Sequence, residues 1–336
     1  MKRACLIVVA LWAGYVAASD SAPLKLVKSV DLPKYSGDFD HFAADVNGNR
    51  LFLAAEDHGT LEVFDLKSTK WLKTISGFEV PHSILYLPAS QKLFVTDGGE
   101  GMSKVLNGAD LQIVRKVQLV PGADSLAYDP KKHQAYVVTG GKDVKMKESV
   151  LSVIDTADFS KKGDLKFDSA HLEGMALESQ GKRMFVNVTD HNEIDVVDRD
   201  SMKIVDRWPL DGVGENSPMI LDEAKHRLFI VCRKPAKLVV VDTESGKQVG
   251  AWDTAGHSDG MAFDSAHKRI YVPGGEGYIA VYQQKDADHY ELTAKVPTAP
   301  GAKTCLLVPE LNRLYVAVSP GEGKYGARVL AFETLP

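Results

Sequence analysis

Cysteine is scarce in this sequence: 336 residues carry three, at positions 5, 232 and 305. A chain of that length buries enough apolar surface to fold without disulfide staples, so Cys232 and Cys305 are expected to be small, buried, unpaired fillers. No CxxCH occurs, which excludes covalent attachment of c-type haem by the usual motif. HExxH is missing as well, so no zinc-protease motif is marked. The glycine pairs at 98–99, 140–141 and 274–275 lack the strand–loop–helix context of a phosphate loop and suit tight hairpins. A basic excess is also missing. With 40 basic against 45 acidic residues the chain is a poor binder of nucleic acid or other polyanions.

A long apolar run occurs once, at the N-terminus. Lys2 and Arg3 lead into the stretch from Ala4 to Ala18, and the small residues Val16, Ala17 and Ala18 precede polar Ser19 and Asp20. This is the pattern of a cleaved signal peptide over 1–18, and the run of about fifteen residues falls short of the roughly 20 that span a bilayer. Cys5 lies near the start of the run, away from a lipid-attachment position. Cleavage removes Lys2 and Arg3 and moves the formal charge from −5 to −7. The mature protein, 19–336, is expected to be soluble, without a membrane span, and periplasmic or secreted.

What fills that mature chain is a repeat. A short apolar strand, a polar turn and a second strand recur as HFAADVNGNRLFLAA, HSILYLPASQKLFVTD, DSLAYDPKKHQAYVVT, EGMALESQGKRMFVNV, SPMILDEAKHRLFIVC, DGMAFDSAHKRIYVPG and KTCLLVPELNRLYVAV. Aligned on the second-strand aromatic (Phe52, Phe94, Tyr136, Phe185, Phe229, Tyr271, Tyr315), the positions twelve residues earlier are Asp40, His82, Asp124, Glu173, Ser217, Asp259 and Lys303. They stand 42, 42, 49, 44, 42 and 44 residues apart, a period that four short strands fill. The predicted fold is all-β, a single seven-bladed β-propeller of four-stranded antiparallel blades. Third strands such as LEVFDL, LSVIDT, IDVVDR and LVVVDT end on Asp65, Asp155, Asp198 and Asp242, expected to bond the turn backbone. The last copy supplies three strands, and an orphan strand at 24–32 precedes the first. That N-terminal strand is expected to complete the last blade and close the ring, leaving no open edge. A closed ring in turn favours a monomer.

The second strands LFVTD, AYVVT, MFVNV and LYVAV, with VIDT and VVDT third strands, resemble the YVTN family of bacterial β-propellers over about residues 24–335. The GH and WD punctuation typical of WD40 repeats does not recur. The resemblance implies the fold, whereas similar propellers serve as binding proteins, dehydrogenase subunits, lactonases and lyases.

In a propeller, the loop leading into each innermost strand and the loop between second and third strands open on one face, around the channel. The candidate ligand-binding residues at this mouth are Asp40, His41, His82, Asp124, His171, Glu173, Asn216, Ser217, His257, Asp259 and Lys303. Four of the ten histidines cluster there. Imidazoles beside carboxylates offer lone pairs to a divalent cation and tune one another's pKa, although a merely solvated channel rim would look similar. His171-x-Glu173 and His257-x-Asp259, read as extended, place each pair on one side, so His171, Glu173, His257 and Asp259 are the candidate metal ligands. A divalent metal is the one cofactor these residues suggest.

The second-to-third-strand loops add Glu56-Asp57-His58, Asp97 to Glu100, Asp190-His191 and Gly274 to Glu276, a largely acidic face. Arg233 and Lys234, with Lys303, form a basic sector suited to a ligand carboxylate or phosphate. The lysine-rich insertion from Gly140 to Ser149 is expected to be a mobile loop over the mouth or at a hairpin tip, and the Pro320 to Gly326 hairpin is similar in kind. The readings left open are a binding or interaction module, for a protein or small-molecule partner as yet unknown, ahead of two others. These are a metal-assisted lactonase or lyase at the channel mouth, and a redox subunit similar to the propeller chain of quinoprotein amine dehydrogenases, which needs a partner chain carrying the cofactor.

Overall fold

The structure, a computed structural model, describes residues 22–320 and 326–336; the segment 1–18 read as a signal peptide, and most of the stretch from Pro320 to Gly326 read as a hairpin, lie outside the described residues. Seven four-stranded antiparallel sheets are arranged as blades. In blades 1 to 6 the strands run from the channel outwards in chain order. Blade 1, for example, comprises Phe42–Asp45, Arg50–Ala55, Thr60–Asp65 and Trp71–Ser76. Blade 7 takes Ala302–Val308, Arg313–Val318 and Arg328–Thr334 from the C-terminus and Leu24–Asp31 from the N-terminus. The closing pair runs antiparallel from Leu24 opposite Thr334 to Asp31 opposite Arg328. The expected fold and closure are both present.

Burial explains the strand chemistry. Second strands are apolar on both faces because each is sandwiched between neighbouring blades, and their seven aromatics are fully buried. The core divides into seven clusters, each spanning one blade interface. Leu51 and Leu53 of blade 1 pack on Tyr315 and Val329 of blade 7, and Leu228 and Ile230 of blade 5 on Phe185 and Val196 of blade 4. Outer strands such as Lys161–Phe167 face water and are mostly polar. The four third-strand aspartates cap turns as expected: Asp65 accepts from the Ser68 amide at 2.8 Å and Asp242 from the Ser245 amide at 2.7 Å, while Asp155 and Asp198 accept from Ala157 and Ser201. On the face away from the mouth, Arg50, Arg183 and Arg269, each opening its second strand, donate to a backbone carbonyl of the next blade. Cys232 and Cys305 are unpaired. Cys232 is buried, whereas Cys305 is half-buried and lines the channel. No helix among the described residues is long and apolar enough to cross a membrane.

Candidate functional site at the channel mouth

The side chains at the mouth owe their direction to breaks in the inner strands. In blades 2, 4, 5 and 7 the ladder slips between Pro81 and Ile84, Leu172 and Met175, Asn216 and Met219, and Ala302 and Thr304. His82, Glu173, Ser217 and Lys303 fall inside those slips, where a bulge releases a residue from pairing and re-aims it. In blades 1, 3 and 6 the inner strand begins only at Phe42, Leu126 and Ala262, so Asp40, Asp124 and Asp259 precede it. Neighbouring blades hold this backbone in place. The Thr96 hydroxyl of blade 2 donates to the Asp124 carbonyl at 2.8 Å, and Thr189 of blade 4 to the Asn216 carbonyl at 2.7 Å. The second-strand threonines thus become inter-blade pins.

On the blade 1 to 3 side, Asp40 is buried and meets His82 Nδ1 at 2.7 Å and His41 Nε2 at 3.4 Å. Asp124 stands 3.8 Å from the same His82 nitrogen. A Cβ at Gly98 would lie 2.8 Å from His82 Nε2, so glycine leaves that imidazole its place. Burial works against charge on Asp40, but His41 and His82 more than offset it and hold the carboxyl far below its usual range. Burial also opposes charge on His82, yet Asp124, Asp40 and Glu56 raise its pKa to about 10. His41 is raised too, against burial, by Asp40, Asp259 and Asp124. Glu56, at the second-to-third-strand loop of blade 1, is pushed up to about 7 by burial, with His82 opposing. Burial pushes Asp124 up to about 7, with His82 opposing and Asp40 and Glu173 adding to the rise. Among the described residues no lysine or arginine forms an ion pair with Asp40, Glu56 or Asp124.

The blade 4 to 7 side is built from the same residue types but is closed by cations. Arg233 pairs with Asp259 at 2.5 Å, donates to Ser217 Oγ at 2.9 Å and to the Ser258 carbonyl at 3.0 Å, and stands 3.8 Å from Glu173. Lys303 bridges Asp38 at 2.5 Å and Asp259 at 3.1 Å. Burial opposes its charge, but those two carboxylates raise its pKa above the usual lysine range. His171 donates from Nε2 to Glu173 at 2.8 Å, leaving Nδ1 to accept from Lys142 at 3.1 Å. The basic sector expected to receive an anionic ligand is therefore already neutralised by the protein's own acids, and Lys234 pairs with exposed Glu215 at 2.6 Å.

Two cavities meet at this mouth. One, of about 240 Å³, occupies the channel between His41, Glu173, Ser217, Asp259 and Cys305. The other, of about 170 Å³, opens among Glu56, His82, Asp124, Lys142 and His171. Lys142 comes from the Gly140 to Ser149 insertion, which folds over the mouth as a short 3-10 turn, its Lys142 amide bonded to the Ala170 carbonyl at 2.8 Å.

Several expected site residues take other places. Asn216 is fully buried between blades 4 and 5, where its amide donates to Asn187 at 2.7 Å and to the Glu193 carbonyl at 3.0 Å. Strand alternation explains this, since Ser217 faces the channel and its neighbour must face away. His257 has φ 56°, so the extended geometry that would align it with Asp259 is lost and its ring is exposed. His171, Glu173, His257 and Asp259 thus do not assemble as one ligand set. Among the described residues the groups of ligating side chains are Asp40 with Glu56 and His82, and Asp40 with His41 and Asp124, each within 4.8 Å. The acids of the face loops are mostly structural. Asp97 accepts from the Glu79 and Val80 amides, both at 2.9 Å, Asp190 from the Ala170 amide at 2.9 Å, and Asp57 from the Asp38 amide at 2.7 Å. Each braces the loop leading into its own blade. Asp38 and Lys142 are the participants that the repeat register misses, the first because it lies two residues before Asp40, the second because it belongs to an insertion.

No protein-family model matches the chain. It is 35% identical over 103 residues to the uncharacterized protein YncE of Escherichia coli (strain K12), covering 30% of this chain and 29% of that protein. It is 29% identical over 176 residues to the uncharacterized protein YncE of Salmonella typhimurium (strain LT2), covering 51% of this chain and 48% of that one. The chain thus spans at most about half the length of these curated relatives. Among solved structures, a chain of Kuenenia stuttgartiensis hydrazine synthase superposes with a TM-score of 0.71 at 16% identity, over 84% of this chain and 94% of that one, a likeness of fold alone. The blades and their closure make this chain a seven-bladed β-propeller, and in sequence it is similar to the YncE proteins.

Proposed function

We propose that this chain is an exported binding module, periplasmic or secreted, that takes a small cationic ligand on the blade 1 to 3 side of its channel mouth. One observation carries the reading: Asp40, Glu56 and Asp124 converge there around two imidazoles, beside a cavity, and among the described residues none of the three forms an ion pair with lysine or arginine, while the acids across the channel do. A concave site whose carboxylates outnumber their imidazole partners and lack a lysine or arginine ion pair favours ligands that bring positive charge. Catalysis at the same mouth finds less support. Cys305 faces the channel, but burial pushes its thiol up to about 12, so it stays protonated and is a poor nucleophile at neutral pH. The test is calorimetric titration of chelator-treated protein, recovered from periplasm or medium with Ser19 at its N-terminus, against spermidine and against succinate. Spermidine should bind and succinate should not, and Asp124→Asn should weaken spermidine about tenfold, the loss of one charge-assisted contact. Succinate binding that survives Asp124→Asn and disappears in Lys303→Ala would reverse the reading in favour of the basic sector.

A further inference from the structure

We propose that Asp40, Glu56 and His82 form a divalent-cation site of the zinc or manganese kind, with Asp124 placed to turn in as a further ligand. The ligating atoms of the three lie within 4.8 Å of one another. Donors that surround such an ion at about 2.0 to 2.2 Å stand roughly 3 to 4.3 Å apart, so small side-chain rotations complete the shell. The donor set is mixed, imidazole with carboxylates, which suits zinc and manganese better than the oxygen-only preference of magnesium or calcium.

Two further observations point to an ion rather than to an internal salt bridge. Among the described residues the Glu56 carboxylate accepts no hydrogen bond from a side chain or backbone group, although it is half-buried and lines the cavity beside His82. Asp40, by contrast, is buried and anchored, with one oxygen toward His82 and the other toward His41. A rigid buried carboxylate flanked by an unengaged one is how a preformed site differs from a self-satisfied network. The elements also favour it. Asp40 precedes the inner strand of blade 1, Glu56 follows the second strand of the same blade, and His82 sits in the bulge of blade 2, so the ligands hang on two packed blades. Binding requires His82 to surrender the Nδ1 proton it now donates to Asp40, which makes the affinity fall with pH.

This rests on the acidic side being the ligand-recognising one, and the experiment separates the two ideas. ZnCl2 and MnCl2 are titrated calorimetrically into tag-free, chelator-treated full-length mature protein, alongside Glu56→Gln, Asp40→Asn and a His171→Gln, His257→Gln double variant, with the fold of each checked by circular dichroism. The parent and the double variant should bind one equivalent alike, while Glu56→Gln should raise Kd at least about tenfold and Asp40→Asn further. Because Asp40 is buried, Glu56→Gln is decisive if Asp40→Asn unfolds. No binding by the parent, binding unchanged in Glu56→Gln, or loss confined to the double variant would overturn the site. Spermidine binding without metal binding overturns the ion alone, whereas absence of both overturns the cationic-ligand reading as well.

Discussion

The two sides of the channel mouth use the same side-chain chemistry to opposite ends. On the blade 4 to 7 side Arg233 and Lys303 thread between Glu173, Asp259 and Asp38, so each carboxylate there has a cation within reach. On the blade 1 to 3 side Asp40, Glu56 and Asp124 crowd around His41 and His82, and burial, helped by the neighbouring acids, raises the pKa of Glu56 and of Asp124 to about 7 although His82 opposes it. The first arrangement resembles a structural clamp across the channel, in which every buried charge has a partner. The second leaves two carboxyls that burial holds partly protonated near neutral pH, the kind of perturbed group that clusters at functional sites.

The largest expected effect tests the clamp. Arg233→Met removes the cation between Glu173 and Asp259, leaving Glu173 with His171 and Asp259 with Lys303 alone. Fully buried pairs lose about 3 to 5 kcal/mol on such a cut, and because Arg233 is 25% exposed a loss of about 2 kcal/mol is expected in urea unfolding. Spermidine affinity across the channel should change less than about twofold in the same variant. A stability loss under about 0.5 kcal/mol would show that the cations do not clamp this side.

A smaller effect of opposite sign is expected on the other side. In the fold Glu56 keeps its proton up to about pH 7, whereas the unfolded chain loses it near pH 4.5. The folded state therefore binds more protons between those values, stability falls as pH rises through that window, and the deficit is complete above pH 7. Glu56→Gln removes it, so the metal-free variant should be more stable than the parent at pH 8, by on the order of 1 kcal/mol after solvent screening, and no more stable at pH 4. A thermal melt at the two pH values decides, and a loss of stability at pH 8 would mean that Glu56 is a structural acid after all. The smallest effect belongs to Lys142→Ala. Among the described residues its side chain hydrogen-bonds His171 alone, so stability should stay within about 0.5 kcal/mol, and removing a cation from the cavity rim should strengthen spermidine binding about twofold. Weaker spermidine binding would make Lys142 part of the recognition surface instead.

Much of this molecule was legible before any coordinates. The seven aromatics at a period of 42 to 49 residues had to be strand residues buried on two faces, and they are. The missing fourth strand of the last copy and the unclaimed strand before the first could satisfy their edges only by pairing with each other, as Leu24–Asp31 and Arg328–Thr334 do. The register also brought His41, His82, Asp40 and Asp124 to one mouth. Its errors have local causes. The two His-x-acid pairs look alike in sequence, yet His171 meets Glu173 while the positive φ of His257 turns it away from Asp259. Asn216 and Ser217 are adjacent, and alternation sends one into the blade interface and the other to the channel.

The order of hydrophobic and polar residues along this chain by itself determined the blade count, the closure and the ring of histidines and acids, because the blades and the ring follow from the period of the repeat and the closure from the two strand edges left unpaired at its ends. Which acids are neutralised was decided only by the tertiary structure. Arg233 of blade 5 reaches Asp259 of blade 6 and approaches Glu173 of blade 4, and Lys303 of blade 7 joins Asp38 of blade 1 to Asp259. Those pairings depend on the direction in which residues leave their strands at the mouth and, for Lys303 with Asp38, on the closing of the ring, and neither can be read from the repeat.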